Sequence, residues 1–154
     1  MKIAFASDHA GFEYKQILIP ELRTQGYDVL DLGTNSTEPT DYPDQAEDVA
    51  LAILRGEAER GILICGSGVG VSVAANKFKG IRAGVCHDNY SAHQSVEHDN
   101  ANVICLGERI VGIEVARELV NTFLKAEFSN APRHKRRVEK ILAIENKNMK
   151  ETNI

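Results

Sequence analysis

The sequence predicts an α/β protein, with a five-stranded parallel sheet between two layers of helices. Two observations carry this prediction. Short apolar runs alternate along the chain with segments of helical spacing, which is the pattern of repeated βαβ units. Each apolar run also ends in small or polar residues such as Ser7, Gly33, Cys65, His87 and Gly107, as a strand does where it turns toward a helix.

The elements follow in order. "KIAFAS" (2–7) reads as the first strand. The next segment, 9–26, has helical spacing, with Phe12, Ile17, Leu18 and Leu22 on one face and a kink expected at Pro20. "YDVLDLG" (27–33) is the second strand, and the polar stretch 34–43 connects it to a helix over 44–57. "GILICG" (61–66) is the third strand, followed by a short helix over 69–78. "IRAGVCH" (81–87) is the fourth strand, and 89–100 is helical or irregular. "NVICLG" (102–107) is the fifth, and two amphipathic helices over 112–128 and 133–148 complete the chain. Residues 1–148 are expected to form a single domain and 149–154 a frayed polar tail.

Composition sets the limits. A chain of 154 residues with a 43% apolar and a 26% charged share suits one globular unit. The net charge of −4 gives no general attraction to nucleic acid or anionic lipid. No apolar run approaches the roughly 20 residues of a membrane span. The opening "MKIAFAS" is too short and too soon polar for a signal peptide. Cys65, Cys86 and Cys105 sit in or at the end of apolar runs, and their odd number argues for reduced thiols in the cytoplasm.

In an open parallel sheet the ligand lies at the carboxyl ends of the strands. Residues 7–11, 33–38, 65–70, 86–90 and 106–112 should therefore converge. Among them "CGSGVG" (65–70) stands out, because Gly66, Gly68 and Gly70 precede a helix and can aim backbone N–H groups at one anion. The spacing is neither the dinucleotide fingerprint nor the Walker loop. In a phosphatase-like C-x5-R frame, Val71 stands where arginine is required. A small anion or a transient oxyanion remains, against a merely structural turn.

Cys65 is either a core thiol or, at a helix N-terminus, a stabilised thiolate able to act as base or nucleophile. Asp8 is either a helix cap or, with His9, part of a ligand edge. His98 and Asp99 precede the fifth strand, while His87 and His93 read as ordinary surface residues. Arg133 and Arg137, four apart in "RHKRRVEK" (133–140), are either a solvated face or a phosphate clamp.

Together these pieces resemble a known family. "SDHAG" (7–11), "DYP" (41–43), "ICGSGVG" (64–70), "AANK" (74–77), "EH" (97–98) with "NV" (102–103), "LGERIVG" (106–112) and "RHKRRV" (133–138) occur in the same order in the ribose-5-phosphate isomerase B family, which includes galactose- and allose-6-phosphate isomerases. The resemblance covers residues 1 to about 145. It implies a Rossmann-like three-layer α/β/α fold, a dimer or tetramer with the site shared between subunits, and aldose–ketose isomerisation without metal or cofactor. It assigns Cys65 as the base between C2 and C1, and the loop of Gly66, Ser67, Gly68, Val69 and Gly70 to the enediolate oxygens. His98 would open the sugar ring and Asp8 would hydrogen-bond the sugar. His9, Arg109, Arg133 and Arg137 would hold the phosphate.

Two positions refine the resemblance. Another branch has a glutamate base where this chain has Val71, so Cys65 places the chain in the cysteine-base branch. Asp99 stands where many members have asparagine, and an acceptor-only carboxylate in a sugar contact bears on substrate choice. Ribose 5-phosphate is the expected substrate, with a six-carbon aldose 6-phosphate of the allose or galactose type as the alternative. Two rivals keep the same residues: a Cys-His-Asp acyl-transfer hydrolase, and a phosphosugar-binding module without catalysis.

Overall fold

The computed structural model describes residues 1–154. Five strands, β1 (Lys2–Ser7), β2 (Asp28–Gly33), β3 (Arg60–Cys65), β4 (Ala83–Val85) and β5 (Val103–Gly107), pair in the order β2-β1-β3-β5-β4, every pair parallel. The helices are α1 (Phe12–Thr24), α2 (Tyr42–Leu54), α3 (Val69–Ala75), α4 (Asn89–Asp99), α5 (Ile113–Lys125) and α6 (Pro132–Asn148), with a 3-10 turn over His9–Gly11. The α/β prediction holds.

Both faces of the sheet are buried, which is why the strands read as continuous apolar runs rather than alternating ones. Ile3, Phe5, Ile62, Ile64, Ile104 and Leu106 face α1, α4 and α5. Ala4, Ala6, Leu63, Cys65, Val103 and Cys105 face α2 and α3. Ile62, Leu63 and Ile64 are completely buried, each contributing about 1.5–3 kcal/mol. The alanines on the second face let α2 approach β1. No helix is long and apolar enough to cross a membrane.

Several elements depart from the sequence expectation, each for a local reason. The α1 helix runs through Pro20 to Thr24 and buries Lys15, Leu18, Ile19 and Leu22, while Ile17 is exposed. Lys15 belongs on that face because its ammonium donates to Asp31 and, at 3.4 Å, to Leu32 O on β2. The α2 helix starts at Tyr42, two residues early, with Pro43 in its first turn. β4 is shorter than 81–87, and Asn76 covers its outer edge, with Ala83 N donating to Asn76 Oδ1 at 2.8 Å and Asn76 Nδ2 donating to Ala83 O at 2.9 Å. That pairing accounts for the asparagine of "AANK". Residues 89–99 form a regular helix, capped by Asp88 through Ser91 N–H at 2.7 Å, although Ala92 and Val96 alone are buried.

Candidate active site

The carboxyl ends of β1, β3 and β5 enclose a cavity of about 540 Å³. Cys65 is the last residue of β3 and pairs with Gly107, the last residue of β5. The loops beyond them are joined, with Glu108 N–H donating to Cys65 O at 2.9 Å and Arg109 N–H to Gly66 O at 3.1 Å. This brings Arg109 over the glycine loop, its guanidinium 3.3 Å from where a Gly66 Cβ would stand.

The glycine loop is tight for two reasons. Gly68 has φ +80°, and a Cβ there would lie 2.9 Å from the Leu106 carbonyl carbon, so glycine is required twice over. A Cβ on Gly70 would lie 2.8 Å from the Tyr42 ring. Inside this turn the Gly68 N–H donates to Cys65 Sγ at 3.1 Å, and the Ser67 hydroxyl accepts from Val69 N–H at 3.2 Å. Cys65 is only 5% exposed, yet it lines the cavity.

Asp8 and His9 enter from β1. Asp8 caps the following turn through Ala10 N–H at 2.9 Å and also lines the cavity, so its two readings coexist. His9 Nδ1 accepts from Thr40 N–H at 3.1 Å. That partner assigns the ring proton to Nε2, which leaves a donor for an anion in the cavity.

Asp8, His9, Cys65, Gly66, Ser67, Val69, Gly70 and Arg109 thus share one cavity, with Gly68 buried at its turn. His98, Asp99, Arg133 and Arg137 of the same chain do not line it. His98, in the last turn of α4, stacks on His134 with ring centroids 4.0 Å apart, and its Nδ1 pairs with Gln94 Nε2 at 3.1 Å. Burial, then His98, Arg133 and Arg137, hold His134 below the usual histidine range. Arg133 and Arg137 are exposed on α6, one on each side of His134 in sequence. Asp99 lines a separate cavity of about 420 Å³ with Arg82, Ile141 and Glu145.

Sequence reasoning missed three residues. Tyr42 and Ile110 line the main cavity. They lie in the motifs "DYP" and "LGERIVG", yet neither brings a charge, a thiol or an imidazole that would single it out. His87 is not an ordinary surface residue: its Nε2 accepts from Gly107 N–H at 2.9 Å, and burial lowers its proton affinity. The neutral ring thus helps fix the β5 end beside Cys65. Cys86 and Cys105 are buried packing thiols, and burial pushes both up.

Residues 3–141 match the family model described as Ribose/Galactose Isomerase. The chain is 51% identical to the Escherichia coli protein named ribose-5-phosphate isomerase B over 144 residues, covering 94% of this chain and 96% of that one. It is 45% identical to D-erythrulose-4-phosphate isomerase 2 of Mycolicibacterium smegmatis, covering 94% and 97% of the two chains. The structure of ribose-5-phosphate isomerase B from Mycoplasma genitalium with bound ribulose-5-phosphate superposes with a TM-score of 0.90 at 42% identity, covering 96% of this chain and 97% of that one. By its sequence over nearly its whole length, and by the superposition that accompanies it, this chain belongs to the ribose/galactose isomerase family.

Proposed function

We propose that this chain interconverts ribose 5-phosphate and ribulose 5-phosphate, with Cys65 Sγ as the base. One observation carries the reading: the Cys65 sulfur, hydrogen-bonded by Gly68 N–H, shares a cavity with Asp8, His9 and Arg109. A thiolate there removes the proton from C2 of the open-chain aldose, and the electron pair moves onto the C1 oxygen. The resulting cis-enediolate is neutralised by donors of the Gly66–Gly70 loop and the Ser67 hydroxyl, the kind of contribution that is usually largest in such a step. Cys65 then returns the proton to C1 while the O2 hydroxyl proton passes to O1, which leaves the C2 carbonyl and C1 hydroxymethyl group of the ketose. His9 Nε2–H and the Arg109 guanidinium hold the phosphate away from the reacting carbons, so that binding energy positions C2.

The remaining residues enter from a second copy of the chain. His98 would open the ring, and Arg133 and Arg137 would complete the phosphate clamp. Their exposure on α6, outside the cavity of their own chain, supports this arrangement. So do Val69 and Val73 on α3, more than half exposed beside the cavity. A cytoplasmic setting keeps the thiol base reduced.

The name of the M. smegmatis relative and Asp99 favour a second reading of the substrate, in which the same chemistry acts on a shorter or longer sugar phosphate. Deuterium incorporation from solvent at C1 or C2 should be measured across four-, five- and six-carbon aldose phosphates. Fastest exchange with ribose 5-phosphate is expected. Fastest exchange with another sugar moves the assignment to it, and no exchange with any removes the isomerase reading.

A further inference from the structure

Glu108 stands between Gly107 and Arg109 but does not line the cavity. Its backbone is fixed to Cys65 O, as described, while its carboxylate reaches a different element. Glu108 Oε2 accepts from Tyr14 N–H at 3.2 Å, across 94 residues of sequence. Tyr14 is the third residue of α1, where helix N–H groups have no acceptor within the helix. Gly11, ahead of α1, offers no side-chain cap. The remote carboxylate therefore supplies the missing acceptor and complements the positive end of the helix. A second link runs in parallel, since the Tyr14 hydroxyl donates to Val111 O at 2.8 Å.

Asp8 and His9 open the 3-10 turn that leads into α1, and Arg109 lies immediately after Glu108. We infer that Glu108 is a positioning residue, which holds the segment bearing Asp8 and His9 in register with the loop bearing Arg109 and Cys65. The inference rests on the phosphosugar reading of the cavity. Without this link α1 and the β5 loop would be coupled through Tyr14 OH and through packing, and the anion donors on the two sides would lose their fixed separation.

The link carries its own signature. Burial pushes the Glu108 carboxyl above its ordinary range; Glu13 and Asp8 add to this, while Tyr14 N–H and Arg109 act against it. The folded chain therefore binds this proton more tightly than the unfolded one. Uptake of this proton as pH falls through the window between the folded and ordinary values contributes to stability, so the titration of Glu108 does not itself unfold the chain. Protonation does weaken the link, because a charge-assisted hydrogen bond becomes a neutral one.

The test uses the full-length protein, with inorganic phosphate binding measured by calorimetry and KM and kcat measured with ribose 5-phosphate. Glu108→Ala should weaken phosphate binding and raise KM about tenfold, the scale of a lost hydrogen bond to a charged group, with a much smaller change in kcat. Glu108→Gln keeps an acceptor oxygen without the charge. It should be weaker than the wild type at pH 7.5, and the difference should shrink as pH falls and the wild-type carboxyl takes up its proton. The ratio of the two cancels the titration of phosphate and of every group the two chains share. Unchanged affinity and KM in Glu108→Ala, or a Gln-to-wild-type ratio independent of pH, overturns the inference. Should Glu108→Ala fail to fold, the Gln ratio decides alone. Phosphate binding with no turnover of any sugar phosphate would sink the functional reading yet leave the positioning test intact, whereas no phosphate binding by the wild type overturns both.

Discussion

The Gly68 N–H and the Cys65 sulfur face each other at 3.1 Å within a single turn. Gly68 can make that contact because it is in the left-handed region at φ +80°, with no Cβ to strike the Leu106 carbonyl. The other two thiols have burial raising their pKa, and Cys105 is wholly enclosed. A thiol-alkylating reagent at neutral pH is therefore expected to modify Cys65 first, and bound phosphosugar should slow it. Cys65→Ala should lose proton exchange by about 10²–10⁴-fold, the contribution of a positioned general base. It should keep its fold and ligand affinity, and Cys65→Ser should be nearly as inactive. Near-normal exchange in Cys65→Ala would return this thiol to core packing.

Gly70 meets Tyr42 in the same turn. A methyl group there would lie 2.8 Å from the ring, so Tyr42 must move out of the cavity wall or the loop must shift. Gly70→Ala is expected to fold with a modest loss of stability, about 1–3 kcal/mol from overpacking, and to lose most of its activity. Gly70→Ala combined with Tyr42→Ala should recover stability. If the double variant is no more stable than Gly70→Ala alone, the ring contact does not limit the loop.

The arginines of α6 test the shared site. Arg133→Ala and Arg137→Ala are each expected to weaken phosphosugar binding by about 1.5–3 kcal/mol, the scale of a hydrogen bond between charged groups. Nonphosphorylated sugars should be almost unaffected. Because these residues lie outside the cavity of their own chain, mixing the inactive Cys65→Ala chain with the weakly binding Arg137→Ala chain should produce mixed dimers with one site of wild-type affinity and turnover. Sedimentation showing a fully active monomer would end the proposal.

The His98–His134 stack should make stability depend on pH. His134 binds its proton less readily in the folded chain than in an unfolded one, because it is buried and flanked by His98, Arg133 and Arg137. The sign follows: this contribution is full above the ordinary histidine value and declines as pH falls from there through the lower folded value. Urea midpoints should drop between pH 7.5 and pH 5.5 more steeply for the wild type than for His134→Gln. Parallel slopes would show that the stack does not sense protons.

Much of this molecule was legible in its sequence. Alternating apolar runs and helical spacing determined the α/β class, because a strand buried on both faces must be apolar throughout. The three glycines before a helix determined that Cys65 would stand at a crowded turn, since no other residue leaves its backbone so free. The motifs shared with the isomerase family also located the strand-edge residues that line the cavity.

Tertiary structure decided what local pattern could not. Helical spacing gave no sign that Lys15 would be buried; Asp31 and Leu32 O on the neighbouring strand supply the partners that allow it. His87 looked exposed until Gly107 N–H took its ring nitrogen. Tyr42 became a cavity wall because α2 starts two residues early and packs its first turn on Gly70. Glu108 carried no readable role, because its partner Tyr14 lies 94 residues away. The same physics explains why His98, Asp99, Arg133 and Arg137 could be named from sequence but not placed. Periodicity and capping are encoded within a few residues, whereas the distance between two strand ends, or between two chains, is fixed by how the whole sheet packs.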